Sequence, residues 1–335
     1  MGLGQRLYFT APQQVAVREV PLPDPAAGQL LVKTSCSAIS AGTELLLYRG
    51  QMPDEMALDA TIKTHQQTVQ YPLAYGYAAV GQVIGLGAGV DERWLGRWVF
   101  AFEPHGSHFV IAAENVLPLP KGVTPEDGVF LPNMETAVSF VMDSRPVIGE
   151  RVAVFGQGVV GLLTTALLSQ MPLTKLITLD HLPARREQSR RYGADVSLDP
   201  LSEESVAFLK DQQVDISFEL SGNPAALNMA IASTGFGGRI LIGSWYGRKQ
   251  ASLDLGGTFH RSHLTLISSQ VSHLRAEWHS RWTKERRLQT AWRMIETFRP
   301  SELITHRIPI KQAAEAYQLL DQEPSAAVQV VLTYE

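Results

Sequence analysis

The chain has 335 residues, 45% of them hydrophobic and 19% charged, with a formal net charge of −4. That length suits two packed domains, and that composition excludes disorder and a basic nucleic-acid surface, leaving small, weakly polar partners. A single cysteine, Cys36, excludes an intramolecular disulfide and a four-cysteine structural zinc site, and fits a reducing cytoplasm.

The first residues, MGLGQRLYFTAPQQVAV, show no basic segment followed by a long apolar run, and no later stretch stays apolar for ~18 residues. Neither a targeting signal nor a membrane span is expected. Residues 5–120 then alternate short β-branched or aromatic runs with Pro and Gly: VAVREV, QLLVKTSCSAI, AAVGQVIGLG, RWVFAF and SHFVIAA. This pattern predicts an antiparallel, barrel-like β domain. From Glu126 helical stretches separate the continuous apolar runs RVAVF, LITLD, DISFEL, RILIGS and LTLISS, which predict a doubly wound parallel sheet. After Val271 the spacing predicts helices over Lys284–Phe298 and Ile310–Asp321, and a last strand in AVQVVLTY that returns to the first domain. The expected domains are 1–133 with 272–335, and 134–271. The basic, aromatic stretch SHLRAEWHSRWTKERR reads as a solvated loop and helix face.

The most informative window is RVAVFGQGVVGLLTTALL, where a strand runs through Gly156, Gln157, Gly158, Val159, Val160 and Gly161 into a helix. Gly156 permits a tight turn, Gly158 leaves room for a pyrophosphate, and Gly161 lets helix and strand approach. About 20 residues on, Asp180 ends the apolar strand KLITLD, where a carboxylate can accept both adenosine ribose hydroxyls. The same charge repels a 2′-phosphate, so NAD(H) is preferred over NADP(H). Arg185 and Arg186 follow closely and keep the second cofactor in view.

The order of segments also resembles the medium-chain dehydrogenase/reductase superfamily, of the zinc-type alcohol dehydrogenase kind, over nearly the whole chain. The matching stretches are SAISAGTELLLYRG, YPLAYGYAAVGQVIGLGAGV, NMETAV, FGQGVVGLL, FELSGNPAALNMAI and GGRILIGSWYG. The resemblance implies a GroES-like catalytic domain and a Rossmann domain, and a homodimer. More narrowly, the first two stretches look like the branch containing bacteriochlorophyllide a dehydrogenase, which oxidises a hydroxyethyl group on a tetrapyrrole. For the nicotinamide end the resemblance implies Thr136, Gly243, Ser244, Ser268, Ser269 and Gln270, and Ser221 is a further cofactor-binding candidate.

The metal positions depart from that pattern. Where zinc-dependent members have a Cys, a His and a third ligand, this chain aligns Ala41, Tyr77 and Pro132. Zinc takes thiolate, imidazole or carboxylate, so no catalytic zinc is expected. The pairs His105/His108 and His260/His263 lack a third partner in the sequence.

Without a metal, a proton donor or an easier substrate must carry the reaction. The resemblance puts Thr43 where zinc enzymes keep a Ser/Thr hydroxyl, and Tyr77 at a former ligand position. His105 is the third catalytic candidate. Each has a plainer alternative: Thr43 as a helix cap, Tyr77 as a packing residue, His105 as a turn residue. Glu44 and Glu135 read as structural. Trp245 and Tyr246 imply an aromatic-walled pocket and a hydrophobic secondary alcohol or ketone. Two further readings stay open: a zinc-free quinone or enone reductase, and a non-catalytic dinucleotide sensor.

Overall fold

The computed structural model describes residues 2–53, 55, 57, 58 and 68–335. The chain divides into two compact units, residues 1–132 with 295–335, and residues 133–294.

In the first unit β1 (Leu3–Ala11) and β2 (Gln14–Pro21) form an antiparallel pair. β3 (Gln29–Ala38) is the spine of a separate seven-stranded sheet, and alternate residues Leu30, Val32, Thr34 and Cys36 turn inward. The short helix α1 (Glu44–Tyr48) follows β3, and β4 (Ala79–Leu86) pairs back on β3 with Val32 opposite Val83. β5 (Trp98–Ala101), β6 (His108–Ala112) and β7 (Leu117–Pro118) pair with β4, β3 and β5 respectively. Leu30, Val32, Val83, Val99 and Phe109 form the core of this sheet, each contributing roughly 1.5–3 kcal/mol by leaving water. Helix α2 (Pro125–Gly128) closes the segment, with Thr124 accepting from the Asp127 N–H as its cap.

Helix α3 (Leu131–Ser144) leads into the second unit. There β8 (Arg151–Phe155), α4 (Val159–Leu168), β9 (Lys175–Leu179), α5 (Pro183–Arg191), β10 (Val196–Leu198), α6 (Glu203–Gln212), β11 (Val214–Glu219), α7 (Ala225–Ser233), β12 (Thr234–Ile242) and β13 (Thr265–Ser268) alternate. The strands run parallel in the order β10-β9-β8-β11-β12-β13. Such strands are apolar throughout because both faces are covered. Ala153 and Phe155 belong to one core cluster, and Val152 and Val154 to the other. The order reverses beside β8, and ligands of such sheets bind outside the carboxyl ends of the strands at that point.

The chain ends with α8 (Lys284–Phe298), β14 (Ile304–Pro309), α9 (Ala313–Gln322) and β15 (Gln329–Thr333). β15 pairs antiparallel with β3, Leu332 opposite Ser37, so the last strand lies in the first unit. Leu288, Ala291, Trp292 and Ile295 give α8 its buried stripe. Two features differ from expectation. β14 was not foreseen, because ITHRIP is only partly buried and ends in Pro. Residues 272–294 cluster with the second unit rather than the first. Polar anchors hold them there: Arg287 donates to Glu135 and to the Val271 carbonyl, and Trp278 Nε1 donates to Asp143 at 3.0 Å. Among the described residues no helix is long and apolar enough to cross a membrane.

Candidate functional site

The glycine turn between β8 and α4 shows three different uses of a missing side chain. Gly156 has φ +89°, and a Cβ there would lie 2.5 Å from the Ser221 Cα, so both turn and close approach demand glycine. A Cβ on Gly161 would lie 2.0 Å from the Gly156 oxygen. A Cβ on Gly158 would meet nothing nearer than Arg185 Nη1, at 4.0 Å. Gly158 is therefore not required by the protein's own packing. It is the N-cap of α4 and gives no side-chain cap, so the first N–H groups, those of Val159 and Val160 among them, stand at a helix end suited to an anion.

Asp180 follows β9 and is 6% exposed. Its Oδ2 accepts from the Gln157 N–H at 2.8 Å and its Oδ1 from the Leu182 N–H at 2.9 Å, so the carboxylate is fixed beside the turn. The Gln157 side chain points inward, bonded to the Val154 carbonyl and Thr165. Gln157 thus offers the cofactor backbone, not an amide. Arg186 is occupied with the Asp180 and His181 carbonyls and with Asp199. Arg185 reaches toward Gly158, its guanidinium pKa lowered by burial and partly restored by Asp180.

The residues expected at the nicotinamide end have diverse partners. Gly243 is dictated by packing, since a Cβ would sit 2.4 Å from Phe140. Ser244 Oγ accepts the Gly222 N–H at 2.9 Å, and Ser221 donates to Glu219. Ser268 ends β13 exposed, whereas Ser269 is buried and donates to Asp143 at 2.6 Å. Gln270 folds onto Ser272 through both ends of its amide. Thr136 lies half-buried on α3. Sequence reading missed the centre of this region, Glu219. Fully buried at the end of β11, it accepts from Ser221 and from the Tyr246 hydroxyl at 2.5 Å. Burial first, then that bond, pushes the Tyr246 phenol well above its usual range. A carboxylate closing the apolar run DISFEL was the available signal, as it was for Asp180.

In the first unit Thr43 precedes α1 but its side chain makes no cap bond, so the capping alternative does not describe it. The Tyr77 hydroxyl donates to Ser40 Oγ at 2.5 Å. His105 is fully buried, with Nδ1 2.6 Å from Ser37 Oγ and Nε2 3.0 Å from Glu44 Oε2. It lies in a bend, and, sealed and bonded at both nitrogens, it is not a group presented to a substrate. Glu44 is likewise fully buried, a degree of burial that its place in an early helix did not signal.

At the positions that the sequence resemblance aligns with zinc ligands stand the methyl of Ala41, the phenol of Tyr77 and the ring of Pro132, a donor set that does not suit zinc. Among the described residues no three His, Cys, Asp or Glu are grouped to hold a metal ion. Burial pushes the Cys36 thiol up to about 12, away from the thiolate a metal needs.

Comparison with known proteins agrees with this architecture. A family model described as "Zinc-binding dehydrogenase" matches residues 159–285. D-guloside 3-dehydrogenase of Escherichia coli K12 is 24% identical over 98% of this chain and 100% of its own length. Two solved structures share the fold: 2R,3R-butanediol dehydrogenase of Bacillus subtilis, with TM-score 0.81, 20% identity and coverage of 99% of this chain and 100% of that one; and a protein described as "short chain alcohol dehydrogenase (rspB)" of Escherichia coli CFT073, complexed with NADH, with TM-score 0.80, 19% identity and full coverage of both chains.

Proposed function

We propose that this chain is a member of the zinc-type alcohol dehydrogenase-like medium-chain superfamily, supported by its matches, and an NAD(H)-dependent oxidoreductase that acts without catalytic zinc. Its substrate class is a secondary alcohol or ketone on a hydrophobic framework. The observation that carries the reading is the Gly158 turn, a helix end left open where the protein's own packing asks for nothing, with Asp180 fixed beside it.

When bound, the nicotinamide supplies the hydride acceptor or donor. The chain's own residues do the rest. Backbone N–H groups of Val159 and Val160 would receive the pyrophosphate, and Asp180 would accept the ribose hydroxyls. With Arg186 engaged elsewhere, Asp180 favours a 2′-hydroxyl over a 2′-phosphate. Thr43 and Tyr77 hold the proton of the reacting oxygen, a role typically worth ~10²–10⁴ in rate. A substrate resembling that of bacteriochlorophyllide a dehydrogenase is supported by sequence likeness alone. The relative named for a guloside points to a sugar-borne hydroxyl.

The test is NADH consumption and NAD⁺ reduction against bulky hydrophobic alcohols and ketones, sugars and polyols, and quinones and enones, with zinc measured in the same preparation. Turnover of alcohols or ketones with far less than one zinc per chain, unchanged by chelators, supports the proposal. Quinone or enone turnover alone supports the reductase reading. Tight NADH binding with no turnover supports a sensor. Stoichiometric zinc lost together with activity refutes the metal-free chemistry.

A further inference from the structure

A buried carboxylate in an apolar surrounding is tolerated only when its oxygens are fully hydrogen-bonded. Glu44 meets that condition with three donors: the Ser40 N–H at 2.8 Å on Oε1, and the Tyr317 hydroxyl at 2.5 Å and His105 Nε2 at 3.0 Å on Oε2. Beyond His105 the chain of bonds continues through Ser37 Oγ to the Tyr334 hydroxyl, each step 2.6 Å. The Gly106 N–H is bonded to Tyr334 in turn. One set of directions satisfies every member: Gly106 N–H to Tyr334, Tyr334 to Ser37, Ser37 to His105 Nδ1, and His105 Nε2–H to Glu44. In that set every proton points toward the one carboxylate.

This network gathers separate stretches of the first unit. Ser40 and Glu44 clasp one another, since the Glu44 N–H also donates to the Ser40 carbonyl at 2.8 Å, and Thr43 lies within that closed turn. Gly76 has φ +122°, and a Cβ there would lie 2.7 Å from His105 Cδ2 and 2.8 Å from Nε2. Its backbone therefore rests against the imidazole. Tyr77, the next residue, donates to Ser40 Oγ. Tyr77 is thus tied to the network twice, through Ser40 held by Glu44 and through Gly76 resting on His105.

We propose that Glu44 and His105 are positioning residues, which fix the hydroxyl of Tyr77 without touching the substrate. The proposal rests on the reading of that hydroxyl as a proton-holding group. It predicts that disturbing the buried pair changes the surroundings of Tyr77 and the chemical step, but not dinucleotide binding.

The test uses the full chain labelled with ¹³C at tyrosine Cζ, the Tyr77 resonance being assigned by its loss in Tyr77→Phe. Glu44→Gln and His105→Gln each shift that resonance. On the best substrate each lowers kcat by about tenfold or more while the NADH Kd changes less than about twofold, the pattern of a group acting in the transition state. In the Tyr77→Phe background neither lowers kcat by more than a small further factor. Folded variants whose Tyr77 resonance stays in place, or whose kcat losses multiply fully with that of Tyr77→Phe, overturn the proposal. If both variants fail to fold, Ser40→Ala removes only the oxygen that receives the Tyr77 proton and is read the same way. A protein that turns over no substrate yet shows the resonance shifts removes the dehydrogenase reading and retains the positioning role. Absence of the shifts removes the positioning role whatever the turnover.

Discussion

Replacing Gly158 and Gly161 separately by Ala should have opposite consequences, although the two glycines are three residues apart in one turn. At Gly158 the backbone is extended, φ −71° and ψ −174°, which any residue adopts, and the nearest atom to the new methyl is 4.0 Å away. Alanine is a poorer N-cap than glycine by up to about 1 kcal/mol, but it removes ~0.4–1 kcal/mol of unfolded-chain freedom. The melting temperature should barely move. At Gly161 the methyl would lie 2.0 Å from a backbone oxygen, so helix and strand must separate, which costs about 1–3 kcal/mol. For a unit of this size that is a loss of roughly 2–12 °C. NADH binding separates them the other way: on the proposed reading the methyl at position 158 would occupy the space for the pyrophosphate and should weaken NADH at least ~10-fold, about 1.4 kcal/mol. Circular dichroism melting without cofactor and isothermal titration with NADH give both numbers. If Gly158→Ala binds NADH as tightly as the parent, or melts as early as Gly161→Ala, the assignment of this turn is refuted.

Cofactor choice should respond to Asp180→Ala, which removes the charge facing a 2′-phosphate; NADH should bind at least ~10-fold more tightly than NADPH in the parent and by a smaller margin in the variant. A parent that prefers NADPH would contradict this. Glu135→Ala leaves the buried Arg287 guanidinium without its carboxylate, which sits 2.8 Å from Nη2, and should cost ~3–5 kcal/mol in denaturant unfolding. Glu135→Met with Arg287→Met should recover most of it, and equal losses in the single and double variants would argue against a paired charge. Burial raises the Glu103 carboxyl from 4.5 to about 7, with Arg6 opposing. The folded chain then holds this proton more tightly than the unfolded one. Stability on its account is full below pH ~4.5 and declines as pH rises toward ~7. Glu103→Gln should flatten that decline in melts taken across the range, and an unchanged slope would assign it to other groups.

Much of the second unit was legible because its signals are local. RVAVF, the glycine spacing and KLITLD each state their own structure, since an apolar run buried on both faces, a turn needing φ +89° and a strand-ending carboxylate are properties of contiguous residues. The Lys284–Phe298 helix was equally plain from its spacing of buried residues. β14 was not, because a partly exposed strand carries little periodicity and exists through its pairing with β15.

By itself the sequence determined the parallel sheet and the glycine turn with Asp180 after it. Each depends on residue identity and near spacing alone. Only the tertiary structure decided that His105 faces Glu44 rather than solvent, that Tyr317 and Tyr334 share that network, and that Gln157 turns inward. The reason is physical: a hydrogen bond between Glu44 and Tyr317 spans 273 residues, and nothing in either one's neighbours announces it. The free energy of burying a carboxylate depends on which distant donors the fold delivers to it.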